Sequence, residues 1–306
     1  LPSFNDDIQG TGAVTLAGIK SALKITGGNL RDQVFVIYGA GAGGIGVARQ
    51  IKVALVAEGL SEEEAKERIY VLDSRGVVYE GREGVDEYKR EFARRGDFAS
   101  GWNLSDPSRV SLMDTVKNAK PTVLVGLSGI AGAFTEELVR TMAENCQNPI
   151  IFPLSNPTSN SEARPEDIYE WTEGKAVVAT GSPFPDVEFR DRIFKVGQGN
   201  NVFIFPGVGL GALAVGAEVI TDEMFTVAAE TLAEMVSQFR LNLRCVYPAI
   251  SDLREVCRKV AAAVALKAME QKVARKPVLP EVVEEVIEKR MWVPRYCRYT
   301  RGPEDI

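Results

Sequence analysis

The residues Gly39-Ala40-Gly41-Ala42-Gly43-Gly44 spell G-x-G-x-x-G between a short apolar run and a helical pattern. That arrangement suits the pyrophosphate of a dinucleotide. Gly39 permits a tight turn, and Gly41, with Ala42 and Gly43 beside it, lets the backbone come close to phosphate. Gly44 lets helix and strand pack closely. The helix N-terminus adds free N–H groups and partial positive charge. A glycine turn of purely structural use is the alternative.

Asp73 closes the next apolar run, where an acid can accept a hydrogen bond from a ribose 2′-OH. It follows Gly44 by 29 residues, against about 20 in the usual fingerprint. The charged stretch Ser61–Arg68 is expected to lengthen the connection. The competing reading has Asp73 capping the loop Ser74-Arg75-Gly76. An acid alone favours NAD, since it repels a 2′-phosphate, whereas a cation such as Arg75 or Lys89 offsets that and admits NADP. Both cations equally fit solvated surface positions.

Three further segments are dense in amides and carboxylates: Phe4-Asn5-Asp6-Asp7-Ile8-Gln9-Gly10-Thr11, Leu154-Ser155-Asn156-Pro157-Thr158 and Gly197-Gln198-Gly199-Asn200-Asn201. In an open α/β sheet, ligands bind beyond the carboxyl ends of the strands. Asparagines there can hold a cofactor amide or a substrate carboxylate. In extended chain Asp6 and Asp7 point in different directions. One can then ligate a hard divalent cation while the other orients a neighbour. Taken singly, each segment also fits an Asx-turn or a helix cap. The sequence contains no histidine. A general base must therefore be Lys, Asp, Glu or Tyr of shifted pKa, or lie outside this chain.

The elements that must position these residues follow from periodicity. Thr11 to about Thr26 reads as a helix stopped by Gly27-Gly28-Asn29. Val34–Tyr38, Arg68–Leu72, Thr122–Gly126, Pro149–Leu154 and Lys175–Thr180 are short apolar runs followed by small polar residues, as in buried parallel strands. Strands alternating with helices predict an α/β fold with a doubly wound, Rossmann-like parallel sheet. Residues 80–117 are charged and less regular. Beyond Gly207 helical patterns dominate without further clear strands. The division predicted is an NAD(P)-binding domain over 1–200 and a helical C-terminal extension over 201–306. Stripes such as Phe225-Ala228-Ala229-Leu232-Met235 and Val256-Val260-Ala261-Val264 read as packing faces. Trp292–Tyr299, aromatic and basic, reads as packing against a subunit, and Arg94-Arg95 as a solvated face.

Over 306 residues there are 36 basic and 42 acidic side chains, a net charge of −6. That balance opposes an electrostatic nucleic-acid binder. No apolar run reaches the roughly 18 residues of a membrane span. Cys146, Cys245, Cys257 and Cys297 match no metal-ligand spacing and read as buried thiols of a reducing compartment, the cytoplasm or alternatively the mitochondrial matrix.

Taken in order, these motifs closely resemble the cofactor-binding, C-terminal portion of malic enzymes. The resemblance rests on Phe4–Gly12, the Gly39–Gly46 turn, Val125-Gly126-Leu127-Ser128, Leu154–Thr158, Gly181-Ser182-Pro183-Phe184, Gly197–Asn201 and Phe205-Pro206-Gly207. It implies oxidative decarboxylation of L-malate to pyruvate and carbon dioxide, with NAD or NADP and Mg²⁺ or Mn²⁺. Asp7 then matches the family's metal ligand and Asp6 the acid beside it that orders the catalytic lysine. Asn156 and Asn201 match amides that contact substrate. Asn200 lies at the cofactor, with Asn156 and Ser128 also on that side. Ser74 and Lys89 match 2′-phosphate contacts of NADP-using members, a lean toward NADP.

The family's base Lys, acid Tyr, substrate Arg and two further acidic ligands precede this region, and none can be matched here. The chain opens at Leu1, so the expectation is a fragment lacking its N-terminal part and inactive alone. The intact enzyme is expected to be a homo-oligomer, dimer or tetramer, with neither nucleic acid nor membrane as partner. A malolactic-type enzyme and a non-catalytic nucleotide-binding regulatory module are the alternatives.

Overall fold

The computed structural model describes residues 2–294 and 296. Cys297, and with it most of the Trp292–Tyr299 segment's basic and aromatic end, lies outside them. Helices α1 (Thr11–Thr26) and α2 (Ala42–Ala57) precede α3 (Glu62–Glu67), α4 (Glu87–Arg90), α5 (Leu112–Ala119), α6 (Glu136–Asn145) and α7 (Pro165–Trp171). After them come α8 (Phe205–Val215), α9 (Asp222–Glu234), α10 (Gln238–Asn242), α11 (Leu253–Glu270) and α12 (Val283–Arg290). The strands are β1 (Phe35–Tyr38), β2 (Ile69–Asp73), β3 (Gly76–Val77), β4 (Val123–Gly126), β5 (Ile150–Pro153), β6 (Val177–Thr180), β7 (Val187–Phe189), β8 (Arg192–Phe194) and β9 (Gly197–Gln198).

Among the described residues the main sheet has seven strands, in the order β3-β2-β1-β4-β5-β6-β9. Its pairings are parallel except for β2–β3. This is the doubly wound, Rossmann-like arrangement. Side chains alternate across a strand, and the two faces feed two cores. Phe35, Ile37, Val71, Val125 and Phe152 join the core shared with α1, α2, α8, α9 and α11. Val36, Leu72, Leu124, Ile151 and Val178 join the core with Val116, Val139 and Ile168 of α5, α6 and α7. With both faces covered, the strands read as continuous apolar runs rather than alternating ones.

Beyond residue 200, helices α8, α9, α11 and α12 share the first of these cores. Phe225, Ala228, Ala229 and Leu232 are buried, as are Val256, Val260, Ala261 and Val264.

The structure departs from expectation in several places. Ser61–Arg68 is more than a lengthened connection. The Ser61 hydroxyl accepts from Glu64 N–H while the Glu64 carboxylate accepts from Ser61 N–H, a reciprocal cap that starts α3. Gly197-Gln198, read as part of a polar motif, forms the edge strand β9. The β7–β8 hairpin turns on Arg190 and Asp191, both at positive φ, without the glycine that usually announces such a turn. Arg94 is no solvated residue: its guanidinium lies 4.4 Å from the centre of the Tyr70 ring and donates to the Lys66 and Glu67 carbonyls. Arg95 is exposed. Cys146, Cys245 and Cys257 are free thiols, of which Cys245 is buried.

Helix α8, Phe-Pro-Gly-Val-Gly-Leu-Gly-Ala-Leu-Ala-Val, has no polar side chain. Such a helix is ordinarily buried all round. Yet Phe205 is 42% and Leu213 69% exposed, with open space at Gly209 between them. These three positions recur every fourth residue and lie on one face. Trp292 is also well exposed.

Candidate cofactor and substrate site

The parallel strands point their carboxyl ends the same way, so the segments after β1, β2, β4, β5, β6 and β9 gather along one edge. Strand order reverses between β1 and β4, where a doubly wound sheet opens a crevice. The glycine turn lies at that point. Gly39 has φ +125°, and a Cβ on it would stand 2.3 Å from the Leu127 carbonyl oxygen. A Cβ on Gly44 would stand 1.8 Å from the Gly39 carbonyl oxygen. Gly41 is different. Its backbone is extended, and nothing lies within 4 Å of its Cβ position. It faces open space directly ahead of the uncapped N-terminus of α2, which Ala42 and Gly43 begin.

Residues Asp6–Gly10 wind as one wide turn in which the Thr11 N–H reaches the Asp6 carbonyl five residues back. The turn rests on the first part of α2, because a Cβ at Gly46 would meet the Ile8 carbonyl at 2.2 Å and one at Gly43 the Asp7 carbonyl at 3.4 Å. Asp7 N–H donates to the Asn5 side chain, and the Asp7 side chain is exposed.

Asp6 turns inward. Asn201 Nδ2 lies 3.0 Å from the Asp6 carbonyl, 3.3 Å from Asp6 Oδ2 and 3.1 Å from Thr11 Oγ1. The other oxygen, Oδ1, is buried without a partner, and only a glycine at position 10 leaves room for it, since a Cβ there would fall 1.9 Å away. Burial raises the Asp6 pKa, the Asn201 hydrogen bond opposes the rise, and Asp7 adds to it.

A carboxyl raised in the folded state contributes stability that is complete below the unfolded value and is lost as pH rises through the folded one. Asp6→Asn is therefore expected to raise the thermal midpoint at pH 7 by about 1–3 °C. The gain should fade as pH falls toward the ordinary Asp value of 3.8. Melting curves from pH 3 to pH 8 test this, and a gain independent of pH sinks it.

Asp73 ends β2 with both oxygens engaged. Oδ1 accepts from Arg75 N–H at 2.9 Å, and Oδ2 meets Arg82 at 2.5 Å with Lys89 Nζ at 3.9 Å. The loop-capping contact and the position at the strand end are thus both present. Ser74 is exposed. The Arg75 guanidinium donates to the Glu83 and Gly84 carbonyls. Lys89 pairs with Asp86, which raises the lysine's pKa.

Ser128 follows β4 and is hydrogen-bonded to the buried Glu162. Asn156, after β5, is exposed. The Asn200 side chain accepts from Val202 N–H and caps the turn that carries Asn201. Arg82 and Glu162 escaped the sequence reading, because no spacing singles either out from the charges around it.

Among the described residues no group of three or more His, Cys, Asp or Glu side chains is placed to hold a metal ion. Asp6 and Asp7 supply two carboxylates, fewer than the oxygen set a Mg²⁺ takes. The glycine turn by contrast fits a dinucleotide phosphate, with Gly41 backbone open and helix N–H groups behind it. A concavity of about 800 Å³ lies at the far end of α1, bordered by the Lys20–Glu58 and Lys20–Glu230 pairs. It is remote from these motifs.

The fold and its glycine turn define a Rossmann-like α/β protein. Residues 8–269 match the family described as malic enzyme, NAD binding domain. The sequence is 43% identical over 300 residues to an NAD-dependent malic enzyme of Acinetobacter baylyi, covering 98% of this chain and 53% of that protein. It is 44% identical over 298 residues to an NAD-dependent malic enzyme of Photorhabdus laumondii, covering 97% of this chain and 52% of that one. The crystal structure of Entamoeba histolytica malic enzyme superposes with a TM-score of 0.74 at 29% identity, over 94% of this chain and 54% of that one. Malic enzyme from Pyrococcus horikoshii gives 0.73 at 27%, over 94% and 60%. The chain belongs to the malic enzyme family, and it spans about half the length of the curated relatives it matches.

Proposed function

We propose that this chain is the NAD-binding half of an enzyme that oxidatively decarboxylates L-malate to pyruvate and carbon dioxide. The observation that carries the reading is Gly41, whose open extended backbone stands before the N-terminus of α2 with the Asp6–Gly10 turn beside it. NAD is favoured over NADP. The cations that could hold a 2′-phosphate are committed: Arg75 to two carbonyls, Lys89 to Asp86, Arg82 to Asp73. Drawing one away would cost its present partner a charge-assisted bond.

The bound dinucleotide supplies the hydride acceptor. Asp7, carboxylate outward, would hold a divalent cation together with ligands from beyond this chain, and the cation would supply Lewis-acid polarisation of the substrate. Asn156 offers an exposed amide to a malate carboxylate. Asn201 has its Nδ2 committed to Asp6 and Thr11, so it offers Oδ1, an acceptor suited to the malate hydroxyl. The exposed stripe Phe205-Gly209-Leu213 begins four residues after Asn201, and we assign it as the seat of the remainder of the enzyme, itself a cytoplasmic homo-oligomer. Among the described residues no helix is long and apolar enough to cross a membrane.

Calorimetric titration of the 306-residue chain tests the reading. NADH is expected to bind at least about tenfold more tightly than NADPH, without malate turnover. Turnover by this chain alone would overturn its incompleteness. Equal affinity for both dinucleotides would overturn the NAD preference, and binding of neither would overturn the function.

A further inference from the structure

The loops that follow β4 and β5 are tied together by a side chain outside every motif. Glu162 is 0% exposed. Its Oε1 accepts from Ser128 N–H at 2.8 Å, Ser128 Oγ at 2.7 Å and Ser155 Oγ at 2.6 Å, and its Oε2 accepts from Ser155 N–H at 3.3 Å. The pattern extends outward: Ser155 Oγ accepts from Gly129 N–H at 2.8 Å, and Ser128 Oγ from Ile130 N–H at 3.1 Å. Gly126 makes room for the carboxylate, since a Cβ there would stand 2.5 Å from Glu162 Cδ. On its other side the same loop abuts the glycine turn, where the Leu127 carbonyl stands 2.3 Å from the Cβ position of Gly39.

A carboxylate taken out of water is costly unless its oxygens are saturated by donors. These donors come from two loops that are far apart in sequence and belong to neighbouring strands. Remove the carboxylate and a single side-chain tie between the loops is left, Gly129 N–H to Ser155 Oγ, with the Ser155 hydroxyl no longer held by Glu162, so their relation loosens. A dinucleotide lying across the switch point puts its adenosine half over β1 and β2 and its nicotinamide half over β4 and β5. Ser128 and Asn156 stand on the nicotinamide side.

We propose that Glu162 is a positioning residue that locks the loops after β4 and β5 into one arrangement, and so sets the nicotinamide half of the bound dinucleotide against Ser128 and Asn156. It does this from beneath, without touching the ligand. The inference rests on the NAD-binding reading above.

ADP-ribose, which lacks the nicotinamide, separates this role from a general loosening of the fold. Calorimetric titrations would compare NADH and ADP-ribose on the unmutated chain, Glu162→Gln and Ser155→Ala. In Glu162→Gln the new amide NH₂ confronts one of the backbone N–H donors. This variant is expected to bind NADH about tenfold more weakly while its ADP-ribose affinity changes less than about twofold. Ser155→Ala keeps the bonds from Ser128 and should show a smaller loss with the same selectivity. If Glu162→Gln does not fold, Ser155→Ala and Glu162→Asp decide the matter by the same ratio. Equal losses for both ligands, or no loss for either, overturn the positioning role and leave the NAD reading standing. Failure of the unmutated chain to bind NADH overturns both.

Discussion

Gly41→Ala is expected to fold at least as stably as the unmutated chain and to lose NADH binding by a factor of about ten or more, whereas Gly44→Ala is expected to lose about 3 kcal/mol of stability. Both residues belong to one six-residue turn, in which the pattern gives Gly41 the approach to phosphate and Gly44 the packing of helix on strand. The structure separates them. At Gly41 the backbone is extended and the Cβ position is empty, so alanine meets nothing and strains nothing. Alanine also narrows the unfolded ensemble, which stabilises by up to about 1 kcal/mol at a compatible site. The new methyl group would then occupy the space through which a phosphate reaches the backbone. At Gly44 the Cβ would fall 1.8 Å from the Gly39 carbonyl oxygen. That obstacle is backbone, which cannot rotate away, so strand and helix must separate. Denaturant melts paired with NADH titrations of both variants check this. A Gly41→Ala chain that binds NADH normally would remove the phosphate cradle from the account.

Arg82→Met is the second large effect, expected to cost about 2–4 kcal/mol. The Arg82 and Asp73 side chains are only 9% and 12% exposed. One guanidinium nitrogen of Arg82 bonds Asp73 and another donates to the Gly76 and Val77 carbonyls, closing the β2–β3 turn. Methionine keeps the apolar stem and removes the charge, which leaves Asp73 with the Arg75 N–H and a lysine at 3.9 Å. The lysine is why the lower end of the range is included. If the ribose lies at Asp73 as proposed, the same change uncovers a negative charge beside it. NADPH affinity should therefore fall by more than NADH affinity. Urea melts and paired titrations measure both, and a variant as stable as the parent would show that the pair contributes nothing. Arg82→Met with Asp73→Asn should recover part of the stability, because neither partner is then left buried alone.

The amino-acid sequence by itself determined the parallel sheet, the place of the glycine turn in it, and the order of the polar motifs along the crevice edge. These are local properties. An apolar, β-branched run of four or five residues reads as a covered strand wherever it occurs, and a glycine marks a backbone path whatever lies across from it. The short helix α3 was also written locally, in the Ser61–Glu64 pair, although among so many charges it read as plain linker.

What only the tertiary structure decided is which side chain meets which. Asn201 reaches Asp6 across 195 positions, Glu162 joins two loops by four bonds without any spacing of its own, and Arg82 pairs with Asp73 at the end of β2. Pairings of this kind depend on where the chain crossovers bring distant loops. Periodicity reports the face a residue lies on but carries no information about its partner there.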